Sequence, residues 1–108
     1  MDEPPFCLVD VAPGRVLALA GRLDVAAAAD ARLALARAVD DGDGDLVLDL
    51  ADLDVLDVTG LGVLLGAHRR AGRSGRTLVL RDVGPRVGRL LHLTRLDRVL
   101  RLSTSSAA

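Results

Sequence analysis

The sequence predicts a single α/β domain: a mixed β-sheet of four to five strands, opened by an N-terminal β-hairpin, with three to four α-helices packed on it. Three observations carry this. Residues 6–11 and 15–20 are apolar runs separated by Ala12-Pro13-Gly14, a turn signal between antiparallel strands. Beyond the hairpin, segments of helical periodicity alternate with short apolar runs, as strands joined by crossover helices do. Finally, 108 residues of which 50% are apolar suffice for one core and not for two.

Taken in order, residues 1–5 are a polar lead-in to a domain over 6–102. The second strand closes with Gly21-Arg22-Leu23-Asp24, and Asp24 stands where the cap of a helix over 25–41 belongs. The alanine run that follows has the best helix propensity available. Val25, Ala28, Leu35 and Val39 share one face of that helix, while Asp30, Arg37 and Asp41 lie opposite. Arg32 falls inside the apolar arc, where the pattern gives it no role.

Asp40-Asp41-Gly42-Asp43-Gly44-Asp45 has the alternating acids of a calcium loop without its spacing. Counting from Asp41, position six is Leu46 where glycine is needed and position twelve is Asp52 where glutamate is needed. A solvated turn is expected instead. Leu46 to Leu50 then read as a strand covered on both faces. Asp52, Asp54 and Asp57 lead through a loop to Asp57-Val58-Thr59-Gly60, after which Leu61, Leu64, Leu65 and His68 recur at helical spacing as far as Arg73.

Ser74-Gly75 turns the chain into a strand within 76–81, centred on Leu78-Val79-Leu80. Gly84-Pro85 starts a short helix that runs through His92, with Leu90, Leu91 and Leu93 facing inward. A last strand is expected over 99–102, and residues 103–108 are expected to form a disordered tail.

Composition narrows the function. The net charge is −1 and the 14 basic residues, all arginine, are dispersed along the chain, which argues against nucleic acid as a partner. No apolar run approaches the roughly 20 residues of a membrane helix, and the first residues lack the regions of a secretory signal, so no membrane insertion and a cytoplasmic location are expected. Cys7 is the single cysteine; a buried thiol is expected and no disulfide can form within the chain. No nucleophile–base pair, metal-spaced cluster or phosphate loop is visible, so catalytic residues, metal ligands and cofactors are all read as none, and the protein as a non-enzyme. Gly60, Gly62 and Gly66, with Asp82 about 20 residues on, sketch a dinucleotide-binding turn. Their spacing, G-x-G-x-x-x-G, departs from that fingerprint, and the alternative is close approach of a helix backbone to its neighbours.

The most informative stretch is the helix start at 57–61. Unpaired backbone N–H groups and the positive end of the helix dipole meet there, so the Thr59 hydroxyl is placed either to cap the helix or to carry a phosphate. Gly21-Arg22-Leu23-Asp24, Leu46 to Leu50, Asp57-Val58-Thr59-Gly60-Leu61-Gly62-Val63-Leu64-Leu65 and Leu93-Thr94-Arg95-Leu96-Asp97 together resemble the STAS domains of bacterial anti-sigma factor antagonists. The resemblance spans about residues 6–102. It implies that an anti-sigma factor with serine/threonine kinase activity is both partner and modifying enzyme. It also implies that Thr59 is the phosphorylated residue, that a phosphatase reverses the modification, and that Asp24, Asp57, Val58, Thr59, Gly60 and Leu61 bind the partner. Unmodified, such a domain sequesters the anti-sigma factor and so releases a sigma factor. Threonine replaces the family's usual serine at 59, and Arg95 replaces its glycine. The alternative within the same fold is an accessory subunit of a lipid-transport ABC ATPase or of a stress-sensing assembly, without a phosphoswitch.

Overall fold

The structure, a computed structural model, describes residues 5–103. Its elements run β1 (Cys7–Ala12), β2 (Val16–Leu23), α1 (Ala28–Asp40), β3 (Leu46–Leu56), α2 (Val58–Arg73), β4 (Leu78–Arg81), α3 (Pro85–Leu93), a 3-10 turn at Leu96–Arg98 and β5 (Arg101–Ser103). The five strands form one sheet in the order β1-β2-β3-β4-β5. β1 and β2 pair antiparallel as the hairpin, and every later neighbour is parallel, so α1, α2 and α3 are the crossovers between parallel strands.

Side-chain alternation decides where the core lies. Leu17, Leu19 and Leu23 of β2, Leu46, Leu48 and Leu50 of β3, and Leu78 and Leu80 of β4 point to one face. They meet Ala31, Leu35 and Val39 of α1, Leu61 and Leu64 of α2, and Val87 and Leu91 of α3 in a single buried cluster. The helices thus cover that face. Val16, Ala18, Val47 and Asp49 on the other face are only half-buried, so β3 is not enclosed on both sides as its leucine run suggested. Asp49 is accommodated there by Arg81 of β4, 3.2 Å away.

Several boundaries differ from the sequence expectation, each for a local reason. α1 starts at Ala28, three residues late, because the Asp24 carboxylate accepts the N–H groups of Ala26 (3.0 Å) and Ala27 (3.3 Å) and holds 24–27 in a turn. Val25 consequently leaves the helix face and is 72% exposed. β3 continues to Leu56 through the acidic segment read as a loop, pairing with the long β2 across two register shifts. At the first shift the Asp49 carboxylate takes the Ala51 N–H at 3.0 Å, satisfying a donor that the irregular pairing leaves over. In α3, Val87 and Leu91 are the buried positions and Leu93 faces outward. Cys7 is exposed, on the edge strand β1. Ser103 belongs to β5, while 1–4 and 104–108, most of the lead-in and tail, lie outside the described residues.

The end of the sheet where β3 and β4 begin is tied together by one residue. Arg76 is 5% exposed. Its Nε donates to the Gly44 carbonyl (2.9 Å) and its Nη1 to the carbonyls of Ala38 (2.9 Å) and Val39 (2.8 Å). Nη2 reaches the Gly14 carbonyl and, more loosely, those of Asp43 (3.3 Å) and Asp45 (3.5 Å). A buried guanidinium thereby satisfies the orphan carbonyls at the C-terminus of α1 and pins the hairpin turn and the Asp-Gly loop against it. This fixes one end of the sheet and leaves the opposite end for the first turn of α2.

Candidate functional site

The parallel strands β2 and β3 end together, with Leu23 opposite Leu56 in register. The chain leaves β3 and enters α2 at once. Asp57 is the N-cap: its backbone is extended, and its carboxylate accepts the Gly60 N–H at 2.8 Å. The capping role is therefore taken by Asp57, leaving Thr59 in the first turn, one residue past Val58.

Gly60 sets how close this turn comes to β2. A Cβ built there would lie 2.2 Å from the Leu23 carbonyl oxygen and 2.8 Å from Leu56 Cδ1. The Asp57 N–H also donates to that same Leu23 oxygen, at 3.4 Å. Glycine at 60 thus brings Leu23-Asp24 beside the start of α2. At Gly62 and Gly66 an added Cβ would meet nothing within 4 Å, so close approach explains only the first of the three glycines.

Of the six residues expected at the partner surface, Gly60 and Leu61 are buried. They seat the helix and offer no side chain to a visitor. Val58 is 78% exposed, and Asp57, Thr59 and Asp24 are half-buried. Every buried side-chain polar atom among the described residues has a partner, and the Thr59 hydroxyl has none, so that oxygen opens to solvent. Asp24 is engaged by its turn and by Arg22, whose Nε lies 3.1 Å from Oδ2. Val25, absent from the sequence expectation, joins the exposed surface beside Asp24. Its only signal was the capping power of Asp24, which serves a turn as readily as a helix. What the arrangement offers is a solvent-reaching hydroxyl next to the exposed Val58, in a turn that Asp57 caps and that lies against the end of β2.

The STAS domain family model matches residues 8–108. The chain belongs to the STAS domain family. Among curated STAS relatives, it is 33% identical over 88 residues to the anti-sigma-B factor antagonist of Bacillus subtilis (strain 168), spanning 82% of this chain and 80% of that one. It is 36% identical over 55 residues to the anti-sigma F factor antagonist of Paenibacillus polymyxa, spanning 51% of this chain and 47% of the relative. In three dimensions, an anti-sigma factor antagonist from Mycobacterium paratuberculosis matches with a TM-score of 0.73 at 28% identity, over 95% of this chain and 86% of that one. The anti-sigma factor antagonist SpoIIAA in its unphosphorylated form shares the fold with a TM-score of 0.74 at 20% identity, over 95% and 90% of the two chains. The STAS fold of these neighbours is the mixed five-stranded sheet with helices described above.

Proposed function

We propose that this STAS domain is an anti-sigma factor antagonist: a cytoplasmic binding module that captures an anti-sigma factor with serine/threonine kinase activity and is released from it by phosphorylation of Thr59. The observation that carries the reading is the Thr59 hydroxyl, which reaches solvent without a partner in the first turn of α2. Its relatives' names supply the class of partner, since those matched are antagonists of anti-sigma factors. Asp24, Asp57 and Val58 surround the hydroxyl as contact residues, with Gly60 and Leu61 holding the helix start in place. A phosphate adds about −1.5 to −2 charges beside two carboxylates, so docking is opposed by like-charge repulsion and by desolvation of the dianion. A phosphatase acting on phosphorylated Thr59 completes the cycle.

The test is a pair of variants with the cognate kinase. Thr59→Glu folds but fails to co-purify with it, whereas Thr59→Ala binds and accepts no phosphate by mass spectrometry. Equal capture of the kinase by both variants refutes the switch. Failure of the wild-type protein to become phosphorylated at Thr59 in the presence of kinase and ATP favours the scaffold role in a transport or stress-sensing assembly.

A further inference from the structure

Arg32 interrupts the apolar arc of α1, and the antagonist reading gives it nothing to do. It stands on the rim of an open groove of about 250 Å³ between α1 and α2, together with Arg70 and Arg73. Leu35 and Val63, 1% and 2% exposed, close its base, and the apolar surface left open is that of Ala36 and Gly66. The groove is open there because residue 66 has no side chain, and a Cβ at that position would meet nothing within 4 Å. Asp40 holds one edge of the Arg70 guanidinium, at 3.1 Å from Nε and 2.6 Å from Nη2. Arg32 and Arg73 make no hydrogen bond or ion pair among the described residues. With Arg70 paired to Asp40, Arg32 and Arg73 remain as two exposed guanidiniums on either side of one groove, in a chain of net charge −1.

We propose that this groove docks an acidic amphipathic helix of a protein partner, with apolar side chains over the Ala36–Gly66 strip and carboxylates on Arg32 and Arg73. Charge complementarity selects an acidic occupant, because a guanidinium fork matches a carboxylate bidentately. Size and shape select a helix over a small molecule. Pockets for small ligands run to about 300–1,000 Å³ and enclose their guest, whereas this one is smaller and open along two helices, as grooves for helices with apolar anchors at i and i+4 are. Thr59 and Arg73 are 14 residues apart on α2, which at 1.5 Å per residue is about 20 Å. The groove thus runs along α2 from Val63, about one turn past Thr59, to Arg73 at its far end, and the proposal does not depend on the proposed function.

The experiment is titration of the full-length ¹⁵N-labelled protein with a synthetic peptide of about 16 residues, long enough for a marginal helix, carrying leucines at i and i+4 and glutamates flanking them. Saturable amide shifts confined to Arg32, Leu35, Val63, Gly66 and Arg73 are expected. Arg32→Glu with Arg73→Glu, and separately Gly66→Leu, should each weaken binding about tenfold or more, and raised salt should weaken it further. Thermal melts confirm that each variant is folded; all three positions are exposed. The absence of saturable shifts up to about 1 mM peptide, the weak limit of a specific contact, overturns the proposal. So does undiminished binding by both variants. Equal shifts produced by sodium hexanoate alone would assign the groove to a small carboxylate instead. The same shifts appearing on concentrating the protein without peptide would assign it to a second copy of the chain.

Discussion

Replacing Gly60 with alanine tests how the Thr59 turn is held. The added methyl would sit 2.2 Å from the Leu23 carbonyl oxygen and 2.8 Å from Leu56 Cδ1, and neither the strand backbone nor a packed leucine can simply step aside. The first turn of α2 must withdraw by about 1 Å to restore van der Waals distance. That movement breaks the Asp57 N–H bond to Leu23, already 3.4 Å long, and disturbs the 2.8 Å cap from Asp57 to Gly60. Overpacking of this kind costs about 1–3 kcal/mol, and a damaged cap about 1 kcal/mol more. Alanine's helix propensity returns about 1 kcal/mol, leaving a net loss of about 1–3 kcal/mol. For a domain of this size that is a fall in Tm of roughly 5–15 °C. Gly62→Ala and Gly66→Ala are the controls: open space around both means that only propensity acts, so each should raise Tm by a few degrees, about 0.5–1 kcal/mol. Circular-dichroism melts of the three variants suffice. A Gly60→Ala midpoint within about 2 °C of the wild type, less than 1 kcal/mol can produce, refutes the close approach, as would all three variants moving in one direction.

Arg76→Ala should cost about 3–5 kcal/mol in urea denaturation, because buried carbonyls from three chain segments lose their donor together, and Arg76→Lys should fail to restore it since one ammonium cannot span them. Arg95 holds a left-handed backbone at φ 62°, so Arg95→Gly relieves strain and should raise stability by up to about 1 kcal/mol, readable as a shift in urea midpoint without a change in slope. The hydrogen bond and charge of Arg70 lower the Asp40 pKa below its ordinary value. A carboxyl lowered on folding stabilises above its unfolded pKa and loses that contribution as pH falls through the folded value. Carboxyl ¹³C titration should therefore place the Asp40 midpoint below the ordinary aspartate value, and Asp40→Asn should remove the corresponding acid-limb loss; an Asp40 midpoint at or above that ordinary value contradicts the ion pair.

What could be read in the sequence was what is local. Leu46, Leu48 and Leu50 and the run Leu78-Val79-Leu80 announce strands by themselves, and Leu61, Leu64 and Leu65 announce a helix starting near Thr59, so the sheet and the helix start were legible; that Asp57 and not the Thr59 hydroxyl caps it was not. The start of α1 was not, because four successive alanines favour helix equally at every position and the choice falls to the Asp24 carboxylate. The extension of β3 beyond Leu50 through Asp52 and Asp54 runs against strand propensity and is imposed by its long neighbour β2. Arg76 left no signal at all. Its partners are backbone carbonyls of residues 14 to 45, and carbonyls carry no sequence. The difference between Gly60 and Gly62 likewise exists only in space, in what lies opposite each.

The same geometry separates the effect of a Thr59 phosphate on folding from its effect on docking. Within the domain two fields act on it in opposition. The first-turn N–H groups and the helix dipole favour the anion by about 0.3–1 kcal/mol. The Asp57 carboxylate already occupies the Gly60 N–H. At a separation of about 5 Å at a solvent-reaching site, in an effective dielectric near that of water, it repels each added charge by about 1 kcal/mol, about 2 kcal/mol for the dianion. The sum is a destabilisation of at most a few kcal/mol against the 5–15 kcal/mol typical of a domain, so the phosphorylated protein remains folded. A partner packed on Val58 faces a different problem, since it must strip water from a dianion that the domain's own carboxylates prevent it from neutralising cheaply. Truncating or mispairing one buried charge at an interface already costs about 2–5 kcal/mol, which is a factor of roughly 30 to several thousand in affinity. Partner affinity should therefore fall by orders of magnitude while the melting midpoint moves by degrees. Calorimetry on phosphorylated and unmodified protein distinguishes this from its converse, in which the modification would work by unfolding the first turn of α2 and the two quantities would fall together.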